Sequence, residues 1–155
     1  MTSTGTTSTP TKVIPLISSG SAGPLGAIHL PRLWAKLTLA SAGKLAGGYD
    51  ECGAGFDQMT LTGLNLDRQK AIDYVRTQKP TYMQFEAWVL QQNGGKIDPD
   101  TIRKHNDGIR AYHHNDSLAE DMRKASGIPD TGIKDAVTLN MIEDLDELRR
   151  NATGR

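Results

Sequence analysis

Leu30-Pro31-Arg32-Leu33-Trp34-Ala35-Lys36-Leu37-Thr38-Leu39-Ala40-Ser41 is the stretch on which the fold turns. Leu30, Leu33, Trp34, Leu37 and Ser41, with Leu45 beyond, recur at three- and four-residue spacing and so share one side of a helix. Arg32 and Lys36 stand one turn apart on the other side. Pro31 suits a first helical turn, where its missing N–H is no loss. The pattern predicts a helix from Leu30 to about Leu45, closed by Gly47-Gly48.

Ahead of this helix, Ser18-Ser19-Gly20-Ser21-Ala22-Gly23-Pro24-Leu25-Gly26 is too rich in Gly, Ser and Pro for regular structure. The apolar Val13, Ile14, Leu16 and Ile17 before it predict a loop pinned onto the core. Behind it the helical signals continue. Gly53 to Leu64 reads as a short helix, and Asp67 as the N-cap of a third through about Thr77, stopped by Lys79-Pro80. Thr81-Tyr82-Met83-Gln84 is a capping-box pattern that predicts a fourth helix to about Gln92. Asp98-Pro99 opens a fifth, with Ile102, His105, Ile109 and Tyr112 on one face. Ser117 to Glu120 reads as a second capping box, with Gly127 and Pro129 closing that helix. Asp135 to about Asn151 forms the last, with Val137, Met141, Leu145 and Leu148 spaced for burial. No stretch alternates like a strand and no repeat emerges. The expected fold class is all-α: a compact bundle of about six or seven helices with a Gly/Ser/Pro-rich N-terminal loop.

The chain has 155 residues, enough for one domain with a core of its own. Residues 1–11 are Ser/Thr-rich, with neither a basic nor an apolar signal region, and are expected to form a disordered tail before a single helical domain over 12–155. Formal net charge is zero, which argues against nucleic acid as a partner, and no apolar run suits a membrane span. A lone cysteine, Cys52, cannot close an internal disulfide, so a cytoplasmic location is expected.

Several residues could carry chemistry. The glycines Gly20, Gly23 and Gly26, with Ser19, would let backbone N–H groups approach an anion, and Arg32 and Lys36 would stand nearby to hold a carboxylate or phosphate. The G-x-x-G-x-x-G spacing is neither a Rossmann fingerprint nor a P-loop, so a structural loop beside a solvated basic face is the competing reading. His29, two residues before Pro31, is a candidate acid, base or ligand, or a histidine satisfied by a loop carbonyl. Glu86 falls within the apolar arc of Tyr82, Phe85, Trp88, Val89 and Leu90, where a carboxylate must be paired, hydrogen-bonded or protonated. It reads either as a general acid/base or ligand anchor, or as half of an ion pair with Arg32, Lys36 or another base. His105 and Asn106 lie on the fifth helix, the histidine in its apolar stripe. Asp57 follows Gly55-Phe56 near a helix start. Tyr49 and Tyr82 either donate a proton or pack.

Metal ligation has no local motif: His113 and His114 point about 100° apart on a helix, and neither H-E-x-x-H nor C-x-x-C occurs. A site assembled from His29, Asp57, Glu86 and His105 would have to be built by the fold. Cys52 reads as inert.

Two groups of motifs, with Gly55-Phe56-Asp57, resemble the bacterial family filed as domain of unknown function 5069. One runs from Val13-Ile14-Pro15-Leu16-Ile17-Ser18-Ser19-Gly20 through Ala22 to Gly26 and His29-Leu30-Pro31-Arg32-Leu33-Trp34. The other is Pro80-Thr81-Tyr82, Phe85-Glu86-Ala87-Trp88-Val89 and His105-Asn106. The resemblance spans most of the chain from Val13. It implies that loop, first helix and Glu86 helix share one domain, and it carries over no catalytic residue.

The expected function is a small-molecule enzyme of acid/base type, isomerase, lyase or cyclase-like, acting on a small anionic substrate beneath the Gly-rich loop without a cofactor. His29 and Glu86 would exchange protons with Tyr82 or Asp57 assisting, and Arg32, Lys36, Tyr49, His105 and Asn106 would line the substrate. The alternatives are a non-catalytic ligand-binding or protein-interaction domain, as a homodimer, and a metal-dependent helical enzyme.

Overall fold

The computed structural model describes residues 11–128 and 132–155. The tail expected over 1–11 lies, apart from Thr11, outside the described residues, as does Pro129. Seven helices are described: α1 (Leu30–Ser41), α2 (Phe56–Gly63), α3 (Arg68–Gln78), α4 (Tyr82–Gln91), α5 (Pro99–Ala111), α6 (Asp116–Ala125) and α7 (Ala136–Thr153). Extended pairing among the described residues amounts to two isolated bridges, Val13 with Leu45 and His113 with Asp135. The protein is all-α. No helix among the described residues is long and apolar enough to cross a membrane.

Local chemistry sets most of the helix starts. The Asp67 side chain accepts from Lys70 N–H at 2.8 Å, and Thr81 and Gln84 form both arms of the capping box on α4. Asp98 caps α5 ahead of Pro99, and Asp135 caps α7 by accepting from Thr138 N–H. α2 starts at Phe56 rather than Gly53, and other expectations need correction. α1 stops at Ser41 rather than near Leu45: Gly43 at φ +69° turns the chain back, and Leu45 lies instead in the bridge to Val13. α6 is capped by Asn115, whose side-chain oxygen reaches Leu118 N–H at 2.8 Å two residues ahead of the expected cap, so no capping box forms at Ser117. On α7 only Val137 of the expected inward stripe packs on the core, and the rest faces out. Met141, Leu145 and Leu148 are 39%, 50% and 40% exposed, while Ala136, Leu139 and Asp144 are buried.

α1 packs on α3 and α4, α2 on α5, and α7 on α5 and α6. Leu30, Leu33 and Leu37 of α1 meet Leu61 and Leu64, Ala71, Ile72 and Val75, and Phe85 and Val89 in the largest core cluster. Tyr74 stacks on Trp88 at its edge, ring centroids 4.8 Å apart. Ile28, Phe56, Ile109 and Ala136 make a second cluster, and Ala119, Met122 and Leu139 a third under α6. The basic face expected of α1 is not solvated: Arg32 and Lys36 are only 7% and 8% exposed, because α7 and the start of α2 bring carboxylates over them.

Candidate functional site

The segment 18–29 is stitched to three helices by side chains that the sequence nominated for chemistry. Within it, Ser21 N–H donates to Ser18 carbonyl, Gly26 N–H to Gly23 carbonyl and His29 N–H to Ser21 carbonyl. Leu25 N–H donates to Glu86 Oε1 at 3.0 Å, and Tyr82 hydroxyl donates to Glu86 Oε2 at 2.6 Å. Asn106 closes the loop from α5, accepting from Ile28 N–H at 2.9 Å and donating to Gly26 carbonyl at 2.8 Å. His105 Nε2 donates to Ile28 carbonyl at 2.8 Å. The loop amides that would have cradled an outside anion thus serve the protein, with the Glu86 carboxylate itself as one acceptor.

Glu86 forms no ion pair among the described residues, so neither the expected proton exchange with His29 nor the expected pairing with Arg32 or Lys36 is formed here. Its carboxylate and the Tyr82 hydroxyl sit where a side chain on Gly23 would be: a Cβ there would come 2.5 Å from Glu86 Oε2. Burial and the Glu86 carboxylate together push the Tyr82 phenol well above its ordinary range.

A separate network gathers around Asp57. His29 Nε2 lies 2.7 Å from Asp57 Oδ1, and His29 Nδ1 lies 3.0 Å from Ser19 hydroxyl. On the other side of the carboxylate, Lys36 Nζ donates to Asp57 Oδ2 at 2.5 Å and Gly53 N–H donates to the same oxygen at 2.7 Å. Ser19, His29 and Asp57 are each 2% exposed. Burial lowers the His29 pKa and outweighs the Asp57 hydrogen bond, so the imidazole is neutral at neutral pH. A carboxylate can only accept, so Nε2 carries the hydrogen and Nδ1 accepts from Ser19. For Asp57, burial pushes the pKa up, but the His29 hydrogen bond and the Lys36 charge together prevail and hold it at about 2. His29 itself is at φ +69°, a left-handed conformation that β-carbon sterics disfavour, held by both ring nitrogens and by the edge of Phe56.

Arg32 makes the adjoining network. Its guanidinium grips Asp144 with two hydrogen bonds of 2.6 and 3.1 Å and donates to the carbonyls of Pro15 and Ile17, fixing α1, α7 and the N-terminal segment together. Tyr49 donates to Asp144 Oδ1 at 2.9 Å and lies beneath the guanidinium, 5.9 Å from ring centroid to Cζ.

Arg32, Lys36 and Asp57 converge on one cavity of about 220 Å³, walled also by Asp50 and Gly53 to Phe56 and, from the far side, by Tyr112, His114, Ala136 and Asn140. His29 and Ser19 lie behind Asp57. Glu86, Tyr82, Gly20, Gly23, Gly26, His105 and Asn106 are not on its wall. The sequence reading passed over His114 and Asn140, whose Nε2 and Oδ1 are 3.1 Å apart. Beside His113 in the sequence, His114 suggests only a metal ligand, and nothing local ties it to Lys36; the link is made by the packing of α7 on α5. No three His, Cys, Asp or Glu side chains among the described residues are gathered as for a metal ion. Burial raises the Cys52 thiol pKa, as expected for an unreactive cysteine. The chain matches no protein-family model and no curated protein sequence.

Proposed function

We propose that the protein is a small-molecule enzyme of acid/base type whose substrate, a small anion, binds in the cavity walled by Arg32, Lys36 and Asp57. The observation that carries this reading is the Asp57 carboxylate, buried and shared between Lys36 and His29 at the cavity wall. An ion pair sealed in a core is weak evidence of any role, whereas this one borders an open space. Lys36 spends one of its three N–H groups on Asp57 and keeps the others for a substrate carboxylate or phosphate. Asp57, with a pKa of about 2, is too weak a base to take a proton from carbon. The proton carrier is His114, with Nε2 on Asn140 and its other ring nitrogen free to take a substrate proton and return it at a neighbouring atom, an isomerase-type exchange. His29 and Ser19 act through Asp57, as positioning residues.

The volume suits a substrate smaller than the drug-sized ligands of larger pockets. Incubation in D2O with a panel of small carboxylic acids bearing an acidic α C–H, read by proton NMR, tests the reading. Deuterium uptake that disappears in His114→Gln supports it. Absence of uptake, together with no shift of the Gly53 or Asn140 amides by any panel member, would sink it. Membership of the family filed as domain of unknown function 5069 is part of the same proposal and rests on the loop and Glu86-helix motifs.

One observation favours the non-catalytic reading. Leu16, Met141, Leu145 and Leu148 are all exposed, and Leu16, Met141 and Leu145 border a groove of about 410 Å³. Contiguous exposed apolar surface marks interaction sites, and the occupant proposed is a second copy of this chain in a homodimer. Sedimentation equilibrium decides: a dimer that Leu145→Glu dissociates supports it, and a monomer at all concentrations overturns it.

A further inference from the structure

On the other side of Ala54 from the Asp57 cavity lies a larger cleft, about 560 Å³, between α2 and α5. Two glycines line it. A Cβ on Gly108, inside α5, would meet nothing within 4 Å, and a Cβ on Gly63, the last residue of α2, would stand 2.8 Å from His105 Nδ1. A side chain on Gly63 would crowd the Nδ1 edge of the ring. His105 is 7% exposed, and its Nε2 must carry the hydrogen because it faces the Ile28 carbonyl. Nδ1 is therefore a bare acceptor, and no described residue donates to it. An acceptor without a partner at the wall of a cleft is a site for a donor from outside. Beside it on the rim, Lys104 is exposed and forms no ion pair with any described residue. Met59 and Ala54 supply apolar wall, and the volume lies within the range of small-molecule sites.

We infer that this cleft is a second small-molecule site, for a hydroxylated organic acid. The ligand hydroxyl donates to His105 Nδ1, the carboxylate pairs with Lys104, and the apolar body lies over Met59 and Gly108. The site is independent of the acid/base reading of the Asp57 cavity, since no charged residue is shared between them.

The test uses 4-hydroxyphenylacetate with two comparators, 4-methylphenol, which lacks the carboxylate, and phenylacetate, which lacks the hydroxyl. Binding to the full chain is followed by amide chemical shifts. The expected result is perturbation centred on Gly63 and Gly108, not on Gly53 or Asn140, with each comparator roughly tenfold weaker. Gly108→Leu plugs the cleft from a position with open space and should abolish binding. Lys104→Gln should erase the advantage over 4-methylphenol, and because Lys104 is exposed this variant decides the matter even if Gly108→Leu does not fold. Equal binding of all three compounds, no binding at the cleft, or an undiminished response in Lys104→Gln would overturn the inference.

Discussion

His29 Nε2 donates to Asp57 Oδ1 across 2.7 Å, joining the left-handed residue that begins α1 to the first turn of α2, and both side chains are 2% exposed. Twenty-eight residues apart in sequence, they make one unit with Ser19 and Lys36. The strained backbone of His29 is held by this unit and by the packing of Phe56, so its members should not be separable in stability experiments.

Asp57→Asn is expected to be strongly destabilising. The amide keeps the shape but leaves the Lys36 ammonium without its counter-charge in a site that is 8% exposed. Breaking one side of a buried pair costs about 3–5 kcal/mol. Urea denaturation of the variant beside the parent protein checks this; a change below about 1 kcal/mol would mean that water reaches Lys36 freely.

Acid should weaken the fold in two stages. The imidazoles of His29 and His105 have folded pKa values below 6.5, both chiefly because burial disfavours the charged form. Below pH 6.5 the unfolded chain binds protons that the folded one refuses, so stability falls from there down to the folded pKa values. Asp57 adds stability that is present above pH 3.8 and is lost as pH falls toward about 2, worth about 2 kcal/mol. Denaturation midpoints measured from pH 8 to pH 2 should therefore be flat above about 7 and decline below 6.5. A midpoint that rises between pH 6.5 and 5 would contradict the buried, neutral state of both histidines.

Gly23→Ala should cost about 1–3 kcal/mol, since the new methyl would meet Glu86 Oε2 and Tyr82 Cε2 at 2.5 Å and the Tyr82 hydroxyl at 2.8 Å. These atoms belong to the hydrogen bonds that hold the loop on α4, so they cannot simply withdraw. Gly47→Ala, where nothing lies within 4 Å, is the comparison. Thermal unfolding of the two variants should differ by several degrees.

Two leucines on α7 should respond oppositely to their prominence in the sequence. Leu139→Ala, at a site 1% exposed, is expected to cost about 2–5 kcal/mol. Leu145→Lys, at a site 50% exposed, should change monomer stability by no more than about 0.5 kcal/mol. Urea unfolding at low protein concentration measures both.

What the sequence determined by itself was local. Helix existence and the caps at Asp67, Thr81 and Asp98 follow from the reach of a side chain to an N–H two or three residues on, and a linear reading contains that information. The burial of Glu86 was legible too, because helical geometry alone sets it among Tyr82, Phe85 and Val89. Only the tertiary structure decided which partner met which residue. Glu86 meets a loop amide and its own tyrosine instead of a base. Arg32 and Lys36, spaced as a solvated face, are buried because Asp144, 112 residues away, and Asp57, 21 residues away, are packed over them. The α7 stripe of Met141, Leu145 and Leu148 turned outward for the same reason. Periodicity states that a helix has an apolar side, whereas the docking of that helix on α5 and α6, with Arg32 gripping Asp144, chooses the side that is covered.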